Sequence, residues 1–392
     1  SGRRPPRAFL NEAALSAPTV NLLADLDDPR LSQDTIHHEL EDLDRRGIRP
    51  LREHRTPERI LAWIDAEFGG SWSSEAALGG IWIAEDEAGP LGFAAFDPRG
   101  LRFHWLRAWA QRSSVGIFGP LGVVPRARGT GLGTTLTRAA LFSIAERGYR
   151  QALIPAVGGA GLVDFYDRAA GARVVENVDL GRRGRRWRVT VLASGNGSNF
   201  QGVIDGSAAG SLPLEIAGLI VNRPSAFALE RAAAAGIPAQ TVAWDRASES
   251  RDAYDERLLA AVAATEPQLV LLLGWMHVLP AAFIARFPEM LNVHPAFLPL
   301  DPTADSVTMP DGSVIPAYRG AHAFDDALAA GSRWAGASVH RVGVAVDRGA
   351  LVARMPLELD PGLPRAAQFE ALHALERRVV ATAIRRWAFE QR

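Results

Sequence analysis

Apolar residues in the second half of the chain fall in short unbroken runs, with polar residues gathered between them. Trp187 to Ala193 (WRVTVLA) predicts a buried strand, followed by a glycine turn and a helix. Ala217 to Val221 predicts a second strand, and Ala226 to Ala235 a helix closed by Gly236-Ile237-Pro238. Arg251 to Thr265 reads as helix and Leu269 to Leu273 (LVLLL) as a central strand. Strands buried on both faces, alternating with helices, predict an open α/β sheet of mostly parallel, Rossmann-like order. Ligands of such sheets bind beyond the strands' carboxyl ends, so the chemistry is expected where each apolar run closes. In the first half, a glycine-rich turn leads into a helix whose Leu132, Leu136, Ala140 and Ile144 share one face.

The chain of 392 residues is about two domains long. The seam is expected at Gly181-Arg182-Arg183-Gly184-Arg185-Arg186, where glycines and like charges cannot fill a core. This divides the chain into a domain over 1–180, a linker over 181–187 and a domain over 188–392. Cysteine is absent, which excludes disulfides, thiolate metal sites and cysteine nucleophiles. Lysine is absent too, so all 43 basic residues are arginine, and Schiff-base lysines and Walker-type loops are excluded. A net charge of −1 offers no footprint for nucleic acid or an anionic membrane. No apolar run approaches the roughly 20 residues needed to span a bilayer, and the start of the chain lacks an apolar signal region. A cytoplasmic protein acting on small molecules is the expectation.

The first strand of the second domain ends in Ser194-Gly195-Asn196-Gly197-Ser198-Asn199. Its glycines permit close backbone approach, and the following helix aims free N–H groups at a ligand. Phe200 stands where a dinucleotide loop needs its third glycine, so a monophosphate fits better; a turn holding nothing is the alternative. The central strand ends in Gly274-Trp275-Met276-His277, and the next in Asn292-Val293-His294-Pro295. Asn292 and His294, two apart on a strand, point to one side of the sheet. Downstream, Val346-Asp347-Arg348-Gly349 places an acid at a turn.

These segments resemble the glycinamide ribonucleotide formyltransferases, which use 10-formyltetrahydrofolate. Val191 to Gln201, Asn222-Arg223, Leu229 to Ala232, Ala235 to Pro238, Ser250 to Asp255, Gly274 to Leu279, Asn292 to Pro295, Ser338-Val339-His340 and Val346 to Gly349 carry the likeness in order. The resemblance implies that Asn292, His294 and Asp347 are catalytic, with His322 a further active-site histidine. It implies that Gly195, Asn196, Gly197, Ser198, Asn199 and Gly274 hold the substrate's phosphate, and that Glu376 meets its ribose. It sets the folate against Met276, His277, Val278 and Leu279, with Arg251 near its glutamate tail. An amine attacking the formyl carbon makes an oxyanion, to which Asn292 and a protonated His294 can donate while Asp347 favours the imidazolium. The histidines of this half (His277, His294, His322, His340, His373) show no metal-ligand spacing, so no metal is expected. Three departures stand out. Asp301 to Pro316 is an insertion, its Met309-Pro310-Asp311-Gly312 reading as a hairpin turn; Ala296 stands where serine is usual, and His277 where arginine is common.

In the first half, Phe118 to Val124 runs into Arg128-Gly129-Thr130-Gly131-Leu132-Gly133. This resembles the acyl-CoA loop of the GNAT N-acetyltransferases, implying that Val123, Arg128, Gly129, Gly131 and Gly133 bind acetyl-CoA. The likeness extends from Gly80 to Val175. It implies a helix and strands over Ala62 to Glu75 and Gly80 to Phe96, core positions at Trp63, Phe68, Trp72 and Trp82, and a strand over Tyr149 to Ala156. In that family a tyrosine at the place of Tyr166 protonates the departing thiolate; a core aromatic is the other reading. Glu53, His54, Glu75 and His104 are undistinguished candidates for a general base.

The expectation is a bifunctional N-acyltransferase that joins a GNAT-like α/β domain to a folate-dependent formyltransferase domain. Its acceptor is a small, amine-type metabolite, and a homodimer stays open. Three alternatives remain: a purine-pathway transformylase with an inert appendage, a 10-formyltetrahydrofolate hydrolase, and a folate- or CoA-gated binding protein.

Overall fold

A computed structural model describes residues 19–178 and 185–391. The chain resolves into two compact units, residues 1–180 with 389–392, and residues 181–388. Most of the arginine-glycine seam, residues 181–184, lies outside the described residues. Of its remainder, Arg185 lies over the Trp187 ring at 3.9 Å and Arg186 donates to the carbonyl of Leu214 at 2.8 Å.

The first unit has a sheet of seven strands: β1 (Thr19–Asp25), β2 (Arg49–Glu53), β3 (Gly80–Asp86), β4 (Gly89–Phe96), β5 (Val115–Val123), β6 (Gln151–Gly158) and β7 (Arg173–Val178). Their spatial order is β2-β3-β4-β5-β6-β1-β7. Neighbours run antiparallel except β5 and β6, which pair in parallel only from Val115/Gln151 to Ile117/Leu153. From Phe118 to Val123, β5 pairs with β4. Helices α1 (Gln33–Arg45), α2 (Glu58–Phe68), α3 (Trp72–Ala76), α4 (Arg107–Ala110), α5 (Leu132–Ala145) and α6 (Ala160–Ala170) complete the unit. The helix expected over Ala62 to Glu75 is two, α2 and α3, because Gly69 ends the first in the left-handed region at φ 98°. Trp63 and Trp82 are buried as expected, whereas Phe68 and Trp72 are half-buried and stack on each other at 5.7 Å. The face of α5 carrying Leu132, Leu136, Ala140 and Ile144 is fully buried.

The second unit holds β8 (Trp187–Ala193), β9 (Leu214–Val221), β10 (Ala239–Thr241), β11 (Leu269–Leu272), β12 (Met290–His294), β13 (Ser306–Thr308), β14 (Val314–Pro316), β15 (Trp334–Arg341) and β16 (Leu351–Glu358). Its seven-stranded sheet has the order β10-β9-β8-β11-β12-β15-β16. The first five strands are parallel; β15 and β16 add antiparallel pairs. The helices are α7 (Ser198–Ala208), α8 (Ala228–Ala234), α9 (Arg251–Ala263), α10 (Ala281–Arg286), α11 (Ala323–Ala329) and α12 (Arg365–Glu390). The unbroken apolar runs follow from burial on both faces. On β11, Leu269 and Leu271 pack in the core that holds Val379, Val380, Ile384 and Trp387 of α12, while Val270 and Leu272 pack in the opposite core with Tyr254, Leu258 and Val262 of α9. Each such fully buried side chain stabilises the fold by about 1.5–3 kcal/mol. Helix α9 starts where Ser250 accepts the Ala253 N–H at 3.2 Å, with Asp252 in its first turn.

The segment 301–316, expected from sequence to be an insertion, forms the separate hairpin β13–β14, pairing Ser306 with Pro316 and Thr308 with Val314. Its turn closes with the Gly312 N–H on the carbonyl of Met309 at 2.9 Å, where the sequence places a turn. Among the described residues, no helix is long and apolar enough to cross a membrane.

Candidate functional site

The carboxyl ends of β8, β11 and β12 open into a cavity of about 530 Å³ in the second unit. Its floor is Gly195 to Asn199, Leu272 to Leu279 and Asn292 to Pro295, and its wall includes His340, Val342 to Asp347, His373 and Glu376.

Strand β12 places Asn292 and His294 two apart on one face and at the cavity, while Leu291 and Val293 belong to the core shared with α12. His294 Nε2 lies 2.9 Å from the carbonyl of Tyr318, which can only accept, so that nitrogen carries a proton. Its Nδ1 lies 3.5 Å from Asp347 Oδ2. Both ring nitrogens therefore face acceptors, which favours the imidazolium, but burial holds the ring's pKa below its ordinary value despite Asp347 and the Tyr318 carbonyl. Burial thus favours the neutral form of the resting ring, whereas the sequence led to the expectation of a protonated His294. Nδ1 then keeps its lone pair beside the carboxylate.

Asp347 sits in a turn at φ 53°, an uncommon conformation for a residue with a side chain. The turn is so tight that a Cβ on Gly349 would lie 1.6 Å from the carbonyl oxygen of Arg341. The Gly320 N–H donates to Asp347 Oδ2 at 2.9 Å. Burial works to raise this carboxyl, but the His340 and His294 rings and the Gly320 N–H outweigh it and hold its pKa at about 2.

His340 joins the set from β15, a role that the residue-by-residue reading missed. Its Nε2 is 3.1 Å from Asn292 Nδ2 and 3.5 Å from Asp347 Oδ1. The available signal was its place in Ser338-Val339-His340, the third residue of an alternating strand.

The loop from Gly195 to Asn199 crosses into α7 at the cavity's edge. Gly197 takes φ 73° as the cap of α7, and a Cβ there would meet Ala228 Cβ at 2.9 Å. Arg231 on α8 holds the loop through Asn196, donating to its backbone and side-chain oxygens at 2.9 Å each. Asn199 Nδ2 donates to Glu376 Oε2 at 3.0 Å, while Asn199 Oδ1 is buried without a partner. Burial pushes the Glu376 carboxyl above its ordinary value, against the Asn199 hydrogen bond. Gly274, at φ 79°, accepts the Ser194 N–H at 3.2 Å through its carbonyl.

Met276 and Val278 are 49% and 61% exposed, and Val344 and Val346 are 71% and 53% exposed. All four line this cavity. Four apolar side chains left open along one cleft fit a flat ring system. The unpartnered, buried Nε1 of Trp275 adds a donor in the same segment. Leu279 is buried beneath them, and His277 hydrogen-bonds Tyr254 at 2.9 Å through Nδ1.

Two expected residues stand apart. His322 caps α11, is exposed, and does not line the cavity. Arg251 also lies off the lining; it pairs with Asp255 at 2.9 Å and bonds the carbonyl of Val278, bracing the Met276–Leu279 segment from behind.

In the first unit, β5 ends at Val123, whose carbonyl accepts Arg128 Nε at 3.0 Å. Gly129 and Gly131 have φ 77° and 88°, and Gly131 caps α5 with Gly133 in its first turn. The first free N–H groups of this helix fit a pyrophosphate. Tyr166 on α6 is buried edge-on to Phe118 at 5.9 Å and to Phe165 at 4.9 Å, and burial raises its phenol pKa well above the ordinary value. A cavity of about 360 Å³ touches Gly131 from the α1 side, with His38, Asp42 and Arg46, but does not reach Tyr166. Glu53 and His54 are exposed, Glu75 and His104 half-buried, and none of the four lines either cavity.

The family model described as "Formyl transferase" matches residues 187–307 and 311–384, and that of the "Acetyltransferase (GNAT) family" matches residues 38–172. The chain is 36% identical over 200 residues to phosphoribosylglycinamide formyltransferase of Mycobacterium tuberculosis (strain CDC 1551 / Oshkosh), covering 50% of this chain and 83% of that relative. It is 34% identical over 172 residues to phosphoribosylglycinamide formyltransferase of Escherichia coli (strain K12), covering 43% and 73%. A crystal structure of glycinamide ribonucleotide transformylase 1 from Symbiobacterium toebii aligns at 32% identity and TM-score 0.46, covering 53% of this chain and 89% of that one.

Proposed function

We propose that this chain, which belongs to the formyl transferase family through its second half and carries a GNAT acetyltransferase domain in its first, is a bifunctional N-acyltransferase. The C-terminal domain, over 188–392, formylates an amine-type nitrogen of a small metabolite. The N-terminal domain, over 1–180, acetylates a nitrogen, and 181–187 link the two. Bound 10-formyltetrahydrofolate supplies an activated formyl carbon, and acetyl-CoA a thioester; both donors are intracellular, so the reaction is cytoplasmic.

The observation that carries this reading is the convergence of Asn292, His294, Asp347 and His340 in one cavity beside the Gly195–Asn199 loop. An amide nitrogen carries two hydrogens; with one of Asn292's on His340, the second serves the oxygen that gains charge during transfer. The neutral His294 accepts the amine's proton at Nδ1, its only ring nitrogen with a lone pair. The resulting imidazolium lies against ionised Asp347, which repays part of its burial cost, and its proton then goes to the donor nitrogen as that nitrogen's bond to the formyl carbon breaks. Helix α7 and its loop hold an anionic end of the acceptor through backbone N–H groups, with Glu376 accepting from its hydroxyls. In the N-terminal domain, Tyr166 stays protonated and donates to the departing thiolate beside the α5 loop.

A second reading has the acceptor as glycinamide ribonucleotide itself. The loop–Glu376 arrangement and the 36% identity to a phosphoribosylglycinamide formyltransferase favour it.

The test is mass spectrometry of products from 10-formyltetrahydrofolate, acetyl-CoA and a panel of amines, hydroxylamines, hydrazines and glycinamide ribonucleotide. A formylated nitrogen is expected, lost about 10²–10³-fold in rate in Asn292→Ala. Formate released without any acceptor would instead make the protein a hydrolase.

A further inference from the structure

Three consecutive residues, Tyr318, Arg319 and Gly320, grip both members of the His294–Asp347 pair. The Tyr318 carbonyl accepts from His294 Nε2 at 2.9 Å, and the Gly320 N–H donates to Asp347 Oδ2 at 2.9 Å. Between them, Arg319 turns away from the cavity; its side chain is 14% exposed and does not line the pocket. Its Nε donates to the backbone carbonyl of Asp347 at 3.3 Å. Its other nitrogens reach the root of the inserted hairpin, at the Ala304 carbonyl (2.7 Å), the Pro302 carbonyl (3.5 Å) and Asp305 Oδ1 (3.2 Å).

Arg348, next to Asp347, grasps the same root. It donates to the carbonyls of Pro302 and Thr303 at 3.1 and 3.2 Å and to Asp305 Oδ1 at 2.5 Å. Two guanidinium groups thus share one carboxylate, and the root of the hairpin is bonded on both sides of the Asp347 turn. The far end of the hairpin is anchored as well: Trp334 Nε1 donates to Asp311 Oδ2 at 2.8 Å, and Arg333 pairs with Asp311 at 3.1 Å. Val307 and Met309 are buried. The insertion is therefore a fixed strut, and the strained turn at φ 53° is tied to it.

We propose that Arg319 is a positioning residue for group transfer, and that the 301–316 hairpin is the strut against which it holds the Asp347 turn. A single planar fork spans the hairpin root and the Asp347 carbonyl, so the carboxylate's distance from the His294 ring is set by a residue that touches neither ring nor substrate. A misplacement of about 1 Å at a reacting group costs about 10²-fold in rate. The inference rests on the formyl-transfer reading only for what the pair is positioned to do; the geometry it asserts is testable without turnover.

The test uses the full chain and the variants Arg319→Lys and Asp305→Asn. Lysine keeps the positive charge, which itself bears on His294, but cannot span both partners. The His294 ring is titrated by nitrogen NMR, and formyl transfer is assayed with glycinamide ribonucleotide and with hydroxylamine as acceptors. The groups facing His294 are Asp347, His340, Arg319 and the Tyr318 carbonyl, and only the placement of Asp347 is expected to change. In Arg319→Lys the His294 pKa should fall by about one unit, as part of the carboxylate's support is lost. The kcat should fall at least about tenfold, while the KM for 10-formyltetrahydrofolate stays within about threefold. Asp305→Asn should move both quantities in the same direction by less, and it decides the matter if the lysine variant fails to fold. An unchanged His294 titration in a folded variant overturns the proposal, as does an unchanged kcat. If the wild-type chain formylates neither acceptor, the functional reading loses its support and the titration alone judges the strut.

Discussion

The Nε2 of His340 stands 3.1 Å from the side-chain amide nitrogen of Asn292. The antiparallel register of β12 and β15 sets these two residues directly opposite each other. The other ring nitrogen of His340 faces the carbonyl of Arg341 at 2.9 Å and so donates there. Nε2 is left to accept, and this orients the Asn292 amide with its N–H groups towards the site. His340→Phe should keep the fold but free the amide, lowering kcat about 10²-fold with little change in the KM for folate. The same change removes a ring whose charge lowers the His294 pKa, so the acid limb of the pH–rate profile, which reports protonation of His294, should move to higher pH.

Asp347, with a pKa of about 2 against an ordinary 3.8, contributes stability that is present above the higher value. That contribution disappears as pH falls through the lower one, and amounts to about 2 kcal/mol. Asparagine tolerates the left-handed turn, so Asp347→Asn is a clean comparison. Chemical denaturation from about pH 6 to pH 2 should show the wild type losing about 2 kcal/mol relative to the variant. Parallel curves would mean that the carboxylate gains nothing from its partners.

Glu376 behaves oppositely. Burial raises its pKa, so the carboxylate costs stability at neutral pH and the acid form does not. Glu376→Gln keeps an oxygen for Asn199 and should raise the thermal midpoint at pH 7. The gain should shrink as pH falls through the raised value towards 4.5. In assays the same variant should raise the acceptor's KM by about tenfold while leaving the folate's unchanged, a loss of about 1.4 kcal/mol at the acceptor alone.

Tyr166→Phe removes the hydroxyl from a buried ring that keeps its contacts with Phe118 and Phe165. Acetyl transfer from acetyl-CoA should fall about 10²-fold, with the thermal midpoint nearly unchanged. Because burial raises this phenol, no loss of acetyl transfer through its ionisation should appear below pH 10. Full activity in the variant would make Tyr166 a core aromatic only.

Much of the second unit could be read from local pattern. WRVTVLA and LVLLL are apolar at the core-facing positions except Thr190, whose hydroxyl pairs with that of Thr265, and a strand covered on both faces permits little else. Asn292 and His294 were recognisable because they interrupt such a run two residues apart. The first unit was less legible: β1 lies between β6 and β7 in the sheet, although it precedes them by more than a hundred residues. No local periodicity encodes such a neighbour.

The sequence by itself determined the elements, the glycine loops and the side chains able to perform acyl transfer without cysteine or lysine, because these depend on alternation, turn geometry and functional-group chemistry over a few residues. Only the tertiary structure decided their company. It set His340 opposite Asn292 across a strand pair, brought Arg319 from the end of an inserted hairpin to the Asp347 turn, and left His322 and Arg251 off the cavity wall. It also bears on protonation: burial lowers the His294 pKa, and burial is a property of the packed sheet.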